Sequence, residues 1–343
     1  MEYTIIPKGY KSSLDLRETE KAIKYIKDNF EKNLALALNL ERVSAPLFLK
    51  KGSGINDDLN GVESKATFMI KDIGCLAEGL FSLAKWKRMK LAEYGFGIGQ
   101  GLYTDMNAIR CDDSLDNLHS IYADQWDWEK AISRKQRTSA FLEDTVKKIY
   151  AVIKTTGEKV HKEFGLRDGL PDDITFIHAE DLCKEYPDLT PRQREDKVAE
   201  RYGAIFIRGI GANLSDGKPH DGRAPDYDDW ITVAEDGRRG LNGDIILWYS
   251  LLGRAFELSS MGIRVDKKSM LEQLRLQGKE ERLQQQWHRD LIDGKYPFSI
   301  GGGIGQSRLC MFYLQKAHIG EVQSSIWPND VIEICKKRNV SLL

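Results

Sequence analysis

The β-like runs of this chain bunch together instead of alternating with crossover helices, and that spacing narrows the folds open to it. Short runs rich in β-branched and aromatic residues fall at 66–73, 118–128, 174–178, 204–210, 244–249 and 255–259. Parallel neighbours need a crossover of a dozen or more residues between them, usually a helix. Helical patterns fill only some of the gaps, at 139–164, 191–202, 268–276 and 280–291. The spacing therefore predicts an α+β architecture, a mostly antiparallel sheet flanked by helices. From Leu16 to Leu40, Ala22, Ile23, Ile26, Phe30, Leu34 and Leu38 recur at helical spacing among charges, which predicts a long amphipathic helix. It runs into Val43-Ser44-Ala45-Pro46-Leu47-Phe48, where the proline ends any helix and permits at most an edge strand.

Composition sets the outer limits. With 343 residues, 41% of them hydrophobic, the chain has material for a large core, and the absence of repeats or low-complexity tracts reads as one domain over 1–343. The 51 basic and 52 acidic residues leave a net charge of −1, so no global field draws the chain to nucleic acid or to an anionic membrane, and neither is expected as a partner. Five cysteines without a C-x-x-C pair argue against disulfides and zinc knuckles and for a reducing, cytoplasmic setting. The longest apolar stretch, Ile245 to Leu252, is too short to span a bilayer. The segment Arg208 to Arg239 is too polar for core and too long for an ordinary connection, so it reads as functional or disordered.

Several familiar sites fail on inspection. Ala212 to Pro219 resembles a P-loop only loosely, lacking the first glycine and placing proline where a magnesium-binding hydroxyl belongs. Gly95 to Gly101 does not fit the dinucleotide fingerprint, and no β-like run leads into it. Asp226-Tyr227-Asp228-Asp229 has Thr232 where a calcium loop requires glycine, and the six histidines have no zinc spacing. What survives is Ser299-Ile300-Gly301-Gly302-Gly303-Ile304-Gly305-Gln306-Ser307-Arg308-Leu309, an apolar entry and crowded glycines ahead of an arginine. Glycine lets backbone approach a flat or anionic ligand, and Arg308 offers a planar fork of donors. Read alone, the segment serves equally as a tight strand-to-helix turn.

This segment resembles the third signature motif of the class II aminoacyl-tRNA synthetases, above all their aspartyl and asparaginyl branch. Val43 to Leu47 after a long helix resembles the first motif, and Asn107-Ala108-Ile109-Arg110 followed by a polar loop and 118–129 resembles the second. Longer strings are similar to one related family, the ammonia-dependent asparagine synthetases: Ser82-Leu83-Ala84-Lys85-Trp86-Lys87-Arg88, His119 to Glu129, Arg223 to Trp230, and Phe256 to Arg264. The resemblance implies a class II synthetase-like catalytic domain acting as a homodimer through the Pro46 region. It also implies amidation of L-aspartate by ammonia through a β-aspartyl-adenylate, with ATP and Mg2+ as cofactors and AMP and pyrophosphate released.

Residue by residue, the resemblance places Arg110 on the α-phosphate, and Arg308 with Gly303 and Gly305 on the nucleotide. Asp244 and Glu257 match magnesium carboxylates. Ser82, Lys87, Gln125, Asp127, Asp228, Ser259 and Ser260 fall to aspartate, Arg223 to a carboxylate or a phosphate, and Asp57 to the proton that ammonium must lose. Plainer readings exist for some of these. Lys85, Lys87 and Arg88 read as a solvated basic helix face, Asp57 and Asp58 as turn chemistry, and Cys75 and Cys310 as small core residues. Trp126 and Trp128 alternate as on one packed face of a strand, whereas Glu257 inside an apolar run is costly unless paired or metal-bound. Three rival functions stand beside this one. A tRNA-charging enzyme would carry an anticodon-binding domain ahead of the first motif. A nucleotide sensor would not need both arginines and both metal carboxylates together. A glutamine-dependent enzyme would use a cysteine after Met1, where Glu2 stands.

Overall fold

In the computed structural model, residues 4–56, 64–166 and 169–343 are described. Helix α1 (Leu16–Leu38) starts on a capping box made by Asp15 and Glu18 and stops at Asn39, whose φ of 58° puts it in the left-handed region. The helix ends short of Leu40, which instead opens the edge strand β1 (Leu40–Arg42). Ala22, Ile26, Phe30, Leu34 and Leu38 form its buried stripe. Residues 43–47 are irregular and β2 (Phe48–Lys50) follows, so the chain around Pro46 does no more than border short edge strands.

The run at 66–73 resolves into a hairpin. Strands β3 (Thr67–Ile70) and β4 (Cys75–Gly79) turn at Gly74, whose φ of 59° suits a residue without Cβ, and with β2 they form a small antiparallel sheet. Next come α2 (Ala84–Glu93), β5 (Gly101–Ile109), β6 (Tyr122–Ile132), α3 (Ser139–Phe164), β7 (Thr175–His178), α4 (Ala179–Glu185), α5 (Pro191–Tyr202) and β8 (Ala204–Arg208). The C-terminal part adds β9 (Asn242–Tyr249), β10 (Arg254–Ile263), α6 (Lys267–Leu276), α7 (Gln286–Ile292), β11 (Phe298–Gly305), α8 (Gln306–Tyr313) and α9 (Asn329–Lys337). The eight-stranded main sheet has the order β1-β5-β6-β11-β10-β9-β8-β7 and is parallel only at its outer pairings, β1 with β5 and β7 with β8. The expected mostly antiparallel α+β architecture is therefore present.

Local differences have physical causes. The run at 118–128 becomes strand only from Tyr122, because the Asp116 carboxylate takes the amides of Leu118 and His119 and bends the chain there. The pattern at 280–291 divides into a 3-10 turn at Glu280–Gln284 and α7. Strand β5 is absent from the β-like runs read from sequence; its first four residues are all buried and only its second half alternates, with Met106 and Ala108 buried between Asp105, Asn107 and Ile109. Cys310 lies in the core as expected, but Cys75 is only half-buried in the small sheet.

The polar segment 208–239 is held by its own acids. Asp226, Asp228 and Asp229 are all buried, and Arg137 Nη2 lies 2.5 Å from Asp229. The basic stretch of α2 departs furthest from expectation. Lys85, Lys87 and Arg88 are 3%, 1% and 2% exposed, not a solvated face. Lys85 pairs with Asp226 at 2.8 Å, Lys87 with Asp127, and Arg88 donates to the carbonyls of Val265 and Pro297. No described helix is long and apolar enough to cross a membrane.

Candidate active site

The site begins with the two faces of β6. Trp126 and Trp128 point into the main core, where the Trp126 ring meets Phe30 at 4.7 Å, while Gln125, Asp127 and Glu129 point the other way. Opposite them in register on β11 stand Gly305, Gly303 and Gly301. A Cβ on Gly301 would overlap Glu129 Oε2 and sit 2.6 Å from Arg264 Nη2, and one on Gly303 would overlap Gln125 Oε1. The glycine run is thus the interior of a strand, stripped bare so that acids of the neighbouring strand can lie across it. The helical turn comes only after it, at Gln306.

Ions interlock on this bare floor. Arg264 donates through Nε and Nη2 to Glu129 at 2.8–3.1 Å and through Nη1 to Asp228. Lys87 Nζ donates to Asp127 and to the carbonyls of Trp128, at 3.0 Å, and Gly302, at 3.2 Å, which occupies all three of its N–H groups. Burial pushes the Lys87 ammonium down and the Asp127 and Asp228 carboxyls up, while their ion pairs pull the other way. Burial also works against the Glu129 charge, but Arg264, helped by Lys87, holds that carboxyl below its ordinary value. Beneath this layer Asp226 Oδ2 accepts from His288 and Arg282, both at 2.9 Å, and pairs with Lys85.

Of these groups Lys87, Asp127, Asp228 and Arg264 border one cavity of about 380 Å3, open to solvent. On its wall Arg223 Nη2 lies 2.5 Å from both Asp244 oxygens and 3.2 Å from Ser260 Oγ. Burial pushes the Asp244 carboxyl up, Glu257 adds to that push, and Arg223 opposes it. A β-bulge between Glu257 and Ser259 turns the Glu257 side chain outward, leaving it 48% exposed instead of buried in an apolar strand. Arg308 Nη1 donates to the Glu257 carbonyl at 2.7 Å and lies 3.8 Å from its carboxylate. Ser259 borders the cavity, its hydroxyl buried and without a hydrogen-bond partner among the described residues. Asp244 and Glu257, on neighbouring strands, make an all-oxygen pair that suits a hard divalent cation. Among the described residues no three His, Cys, Asp or Glu side chains form a ligand set, so such a cation needs further oxygens from phosphate or water.

The rest of the lining mixes charged, polar and apolar side chains, Asp113, His119 and Asp124 among them. Arg110 follows β5 and stacks 4.3 Å above the Phe81 ring, with Ser82 at the start of α2 nearby on the lining. Leu118, Ala123, Ile319 and Gln323 lie on the same lining. Of the residues singled out from sequence, Ser82, Lys87, Arg110, Gln125, Asp127, Arg223, Asp228, Glu257, Ser259, Ser260, Gly303, Gly305 and Arg308 all border the cavity. Asp244 reaches it through Arg223, and Asp57 lies outside the described residues. Glu129, Arg264 and Gln323 border or brace the site and were missed. The alternation of acids with tryptophans along 125–129 carries a signal for Glu129. Nothing local marks the other two.

Comparison with known proteins adds an independent line. A family model described as aspartate–ammonia ligase matches residues 17–339. The chain is 54% identical to an aspartate–ammonia ligase of Parabacteroides distasonis and 53% identical to one of Clostridium perfringens, with all of each chain covered. In fold it is similar to asparaginyl-tRNA synthetase from Pyrococcus horikoshii complexed with asparaginyl-adenylate, with a TM-score of 0.65 at 15% identity over 90% of this chain and 70% of that one. The Entamoeba histolytica asparaginyl-tRNA synthetase bound to the same adenylate gives a TM-score of 0.64 at 14% identity, over 91% and 69%. These likenesses place the catalytic fold among the class II aminoacyl-tRNA synthetases.

Proposed function

The chain belongs to the aspartate–ammonia ligase family, and on that premise we propose that it converts L-aspartate and ammonia to L-asparagine with ATP, through a β-aspartyl-adenylate. In the first step an oxygen of the β-carboxylate bonds to the α-phosphorus and the bond to the β-phosphate breaks, releasing pyrophosphate. In the second, the ammonia nitrogen bonds to the activated carbonyl carbon, AMP leaves with the electrons of the C–O bond, and one proton is lost. The single observation that carries this reading is the convergence of Arg110, Arg223 and Arg308 with Asp127 and Asp228 on one cavity. Bringing a carboxylate to a polyphosphate requires fixed cations where negative charge accumulates, and an amino acid requires acids for its ammonium.

Arg110 and Arg308 take the phosphates and nucleotide, with Gly303 and Gly305 leaving room beneath it. Gln125, Asp127 and Asp228 face the substrate ammonium, Arg223 takes a carboxylate, and the partnerless Ser259 hydroxyl is available to donate beside it. Lys87 can contact a substrate carboxylate only by giving up one of its three present acceptors. Asp244 and Glu257 would hold Mg2+, which when bound neutralises phosphate charge. Asp57, by resemblance, accepts the proton that ammonium loses before attack. A homodimer through the Pro46 region is supported by exposed Leu36, Leu47 and Phe48 on either side of edge strand β1. All five cysteines are free, which favours a reducing compartment.

The test is a stoichiometry. Aspartate, ATP, MgCl2 and ammonium chloride should yield equimolar asparagine, AMP and pyrophosphate, read by amino-acid analysis and nucleotide chromatography. Steady ADP production would overturn the adenylate route, and absence of asparagine would overturn the reaction itself.

A further inference from the structure

The segment 223–230 carries Arg223 and Asp228 to the cavity with no helix or strand of its own beyond one bridge between Asp228 and Arg264, and most of it is buried. Buried backbone groups outside a ladder need partners from elsewhere. Helix α6 supplies them through two glutamines one turn apart. Gln273, fully buried, donates through Nε2 to the carbonyls of Pro225 and Asp228, both at 2.9 Å, and accepts the Trp230 amide on Oε1 at 2.9 Å. Gln277, the residue that caps α6, donates to the Arg223 carbonyl at 2.9 Å. Both N–H groups of Gln273 meet groups that only accept, and its Oε1 meets one that only donates, so the amide has a single orientation.

Neither glutamine borders the cavity. Backbone bonds to Ile263 and Val265 hold Asp229 and Tyr227, whereas the carbonyls of Arg223, Pro225 and Asp228 are met by α6. The grip thus falls on the main chain of the two residues assigned to aspartate, while Arg110 follows β5 and Arg308 lies on α8. We propose that Gln273 and Gln277 are positioning residues for aspartate: they fix the main chain from which Arg223 reaches the substrate's carboxylate and Asp228 its ammonium. Contacts to a charged substrate weaken quickly when the groups that make them are displaced. The inference rests on the roles proposed for Arg223 and Asp228.

The experiment measures KM for aspartate, KM for ATP and kcat for asparagine formation, with thermal unfolding, in the wild-type chain and in Gln273→Met, Gln277→Met and Leu274→Val. Methionine keeps the length of the side chain and removes the amide. Gln273→Met should raise KM for aspartate by roughly 10-fold or more and Gln277→Met by roughly 3- to 10-fold, with KM for ATP within about 3-fold of wild type, since each leaves buried carbonyls unmet beside Arg223 or Asp228. Leu274 is fully buried on the same helix and bonds none of these carbonyls with its side chain. Leu274→Val should lower the unfolding temperature and leave both KM values within about 2-fold. Glutamine variants that raise both KM values alike, or neither, overturn the proposal. So does an aspartate effect of the same size in Leu274→Val, because loosening of α6 would then suffice. Should Gln273→Met fail to fold, Gln277→Met, which loses one bond at a half-buried position, carries the same test. Asp228→Asn separates this inference from the one beneath it: a rise in KM for aspartate there, with none in the glutamine variants, defeats only the positioning role, whereas no rise defeats the assignment of Asp228 as well.

Discussion

The two ends of the cavity are built by different physics. At the charged end Lys87, Asp127, Glu129, Arg264 and Asp228 satisfy one another across β6, β10 and β11, on strands whose glycines make room for them. Elsewhere on the lining, an irregular loop at 110–121 meets the segment around Ile319 through one backbone hydrogen bond, from the Ile319 amide to the Asn117 carbonyl, and through the Asn117 side-chain amide on the Ala317 carbonyl. A fixed lattice of charges needs little reorganisation when charge moves during reaction.

The strongest way to break this contrast is Arg264→Met. It strands Glu129 and Asp228 in the interior, so unfolding by denaturant should show a loss of about 3–5 kcal/mol. A loss under about 1 kcal/mol would mean the ions are not what holds the floor.

The opposite end should respond to acid first. His318 sits just before Ile319, fully buried, with Nδ1 accepting the Gly320 amide and its ring 4.7 Å from Trp327. Burial pushes this imidazole down to about 4. The unfolded chain takes a proton near pH 6.5 that the folded ring refuses. The native state therefore keeps its full stability above that pH and loses it as pH falls toward 4, by about 2 kcal/mol between pH 7 and 5. His318→Phe should flatten this slope in urea titrations at several pH values. An unchanged slope would remove the ring from the account.

A smaller effect should separate the ends kinetically. Gly303→Ala sets a methyl group against Gln125 at the charged end. KM for aspartate should rise by roughly tenfold and KM for ATP by less, because the methyl group displaces Gln125 directly and only narrows the room beneath the nucleotide, and one displaced side chain costs on the order of 1 kcal/mol. Equal changes in both constants would show that the glycine run serves the whole site and not one end of it.

Much of the frame was legible because it depends on local periodicity. The four-residue spacing from Ala22 to Leu38 set α1, and the 139–164 and 191–202 patterns coincide with α3 and α5. Motif resemblance singled out the arginines Arg110, Arg223 and Arg308 and the acids Asp127, Asp228 and Glu257, and all of these border one cavity. Burial of charge was not legible. Lys85, Lys87 and Arg88 looked like a wet helix face, and Glu257 looked like the buried acid, yet the structure reverses both.

Repeating apolar positions bury themselves wherever the chain runs, since transfer from water favours them without regard to partner. The order of residues alone therefore determined the long helices, the bunched strands and the inward face of Trp126 and Trp128. A charged side chain is buried only when its partners arrive from elsewhere in the chain: Asp226 for Lys85, Asp127 for Lys87, Glu129 for Arg264, and the Val265 and Pro297 carbonyls for Arg88. Tertiary structure alone decided those pairings, and with them the shape and charge of the cavity.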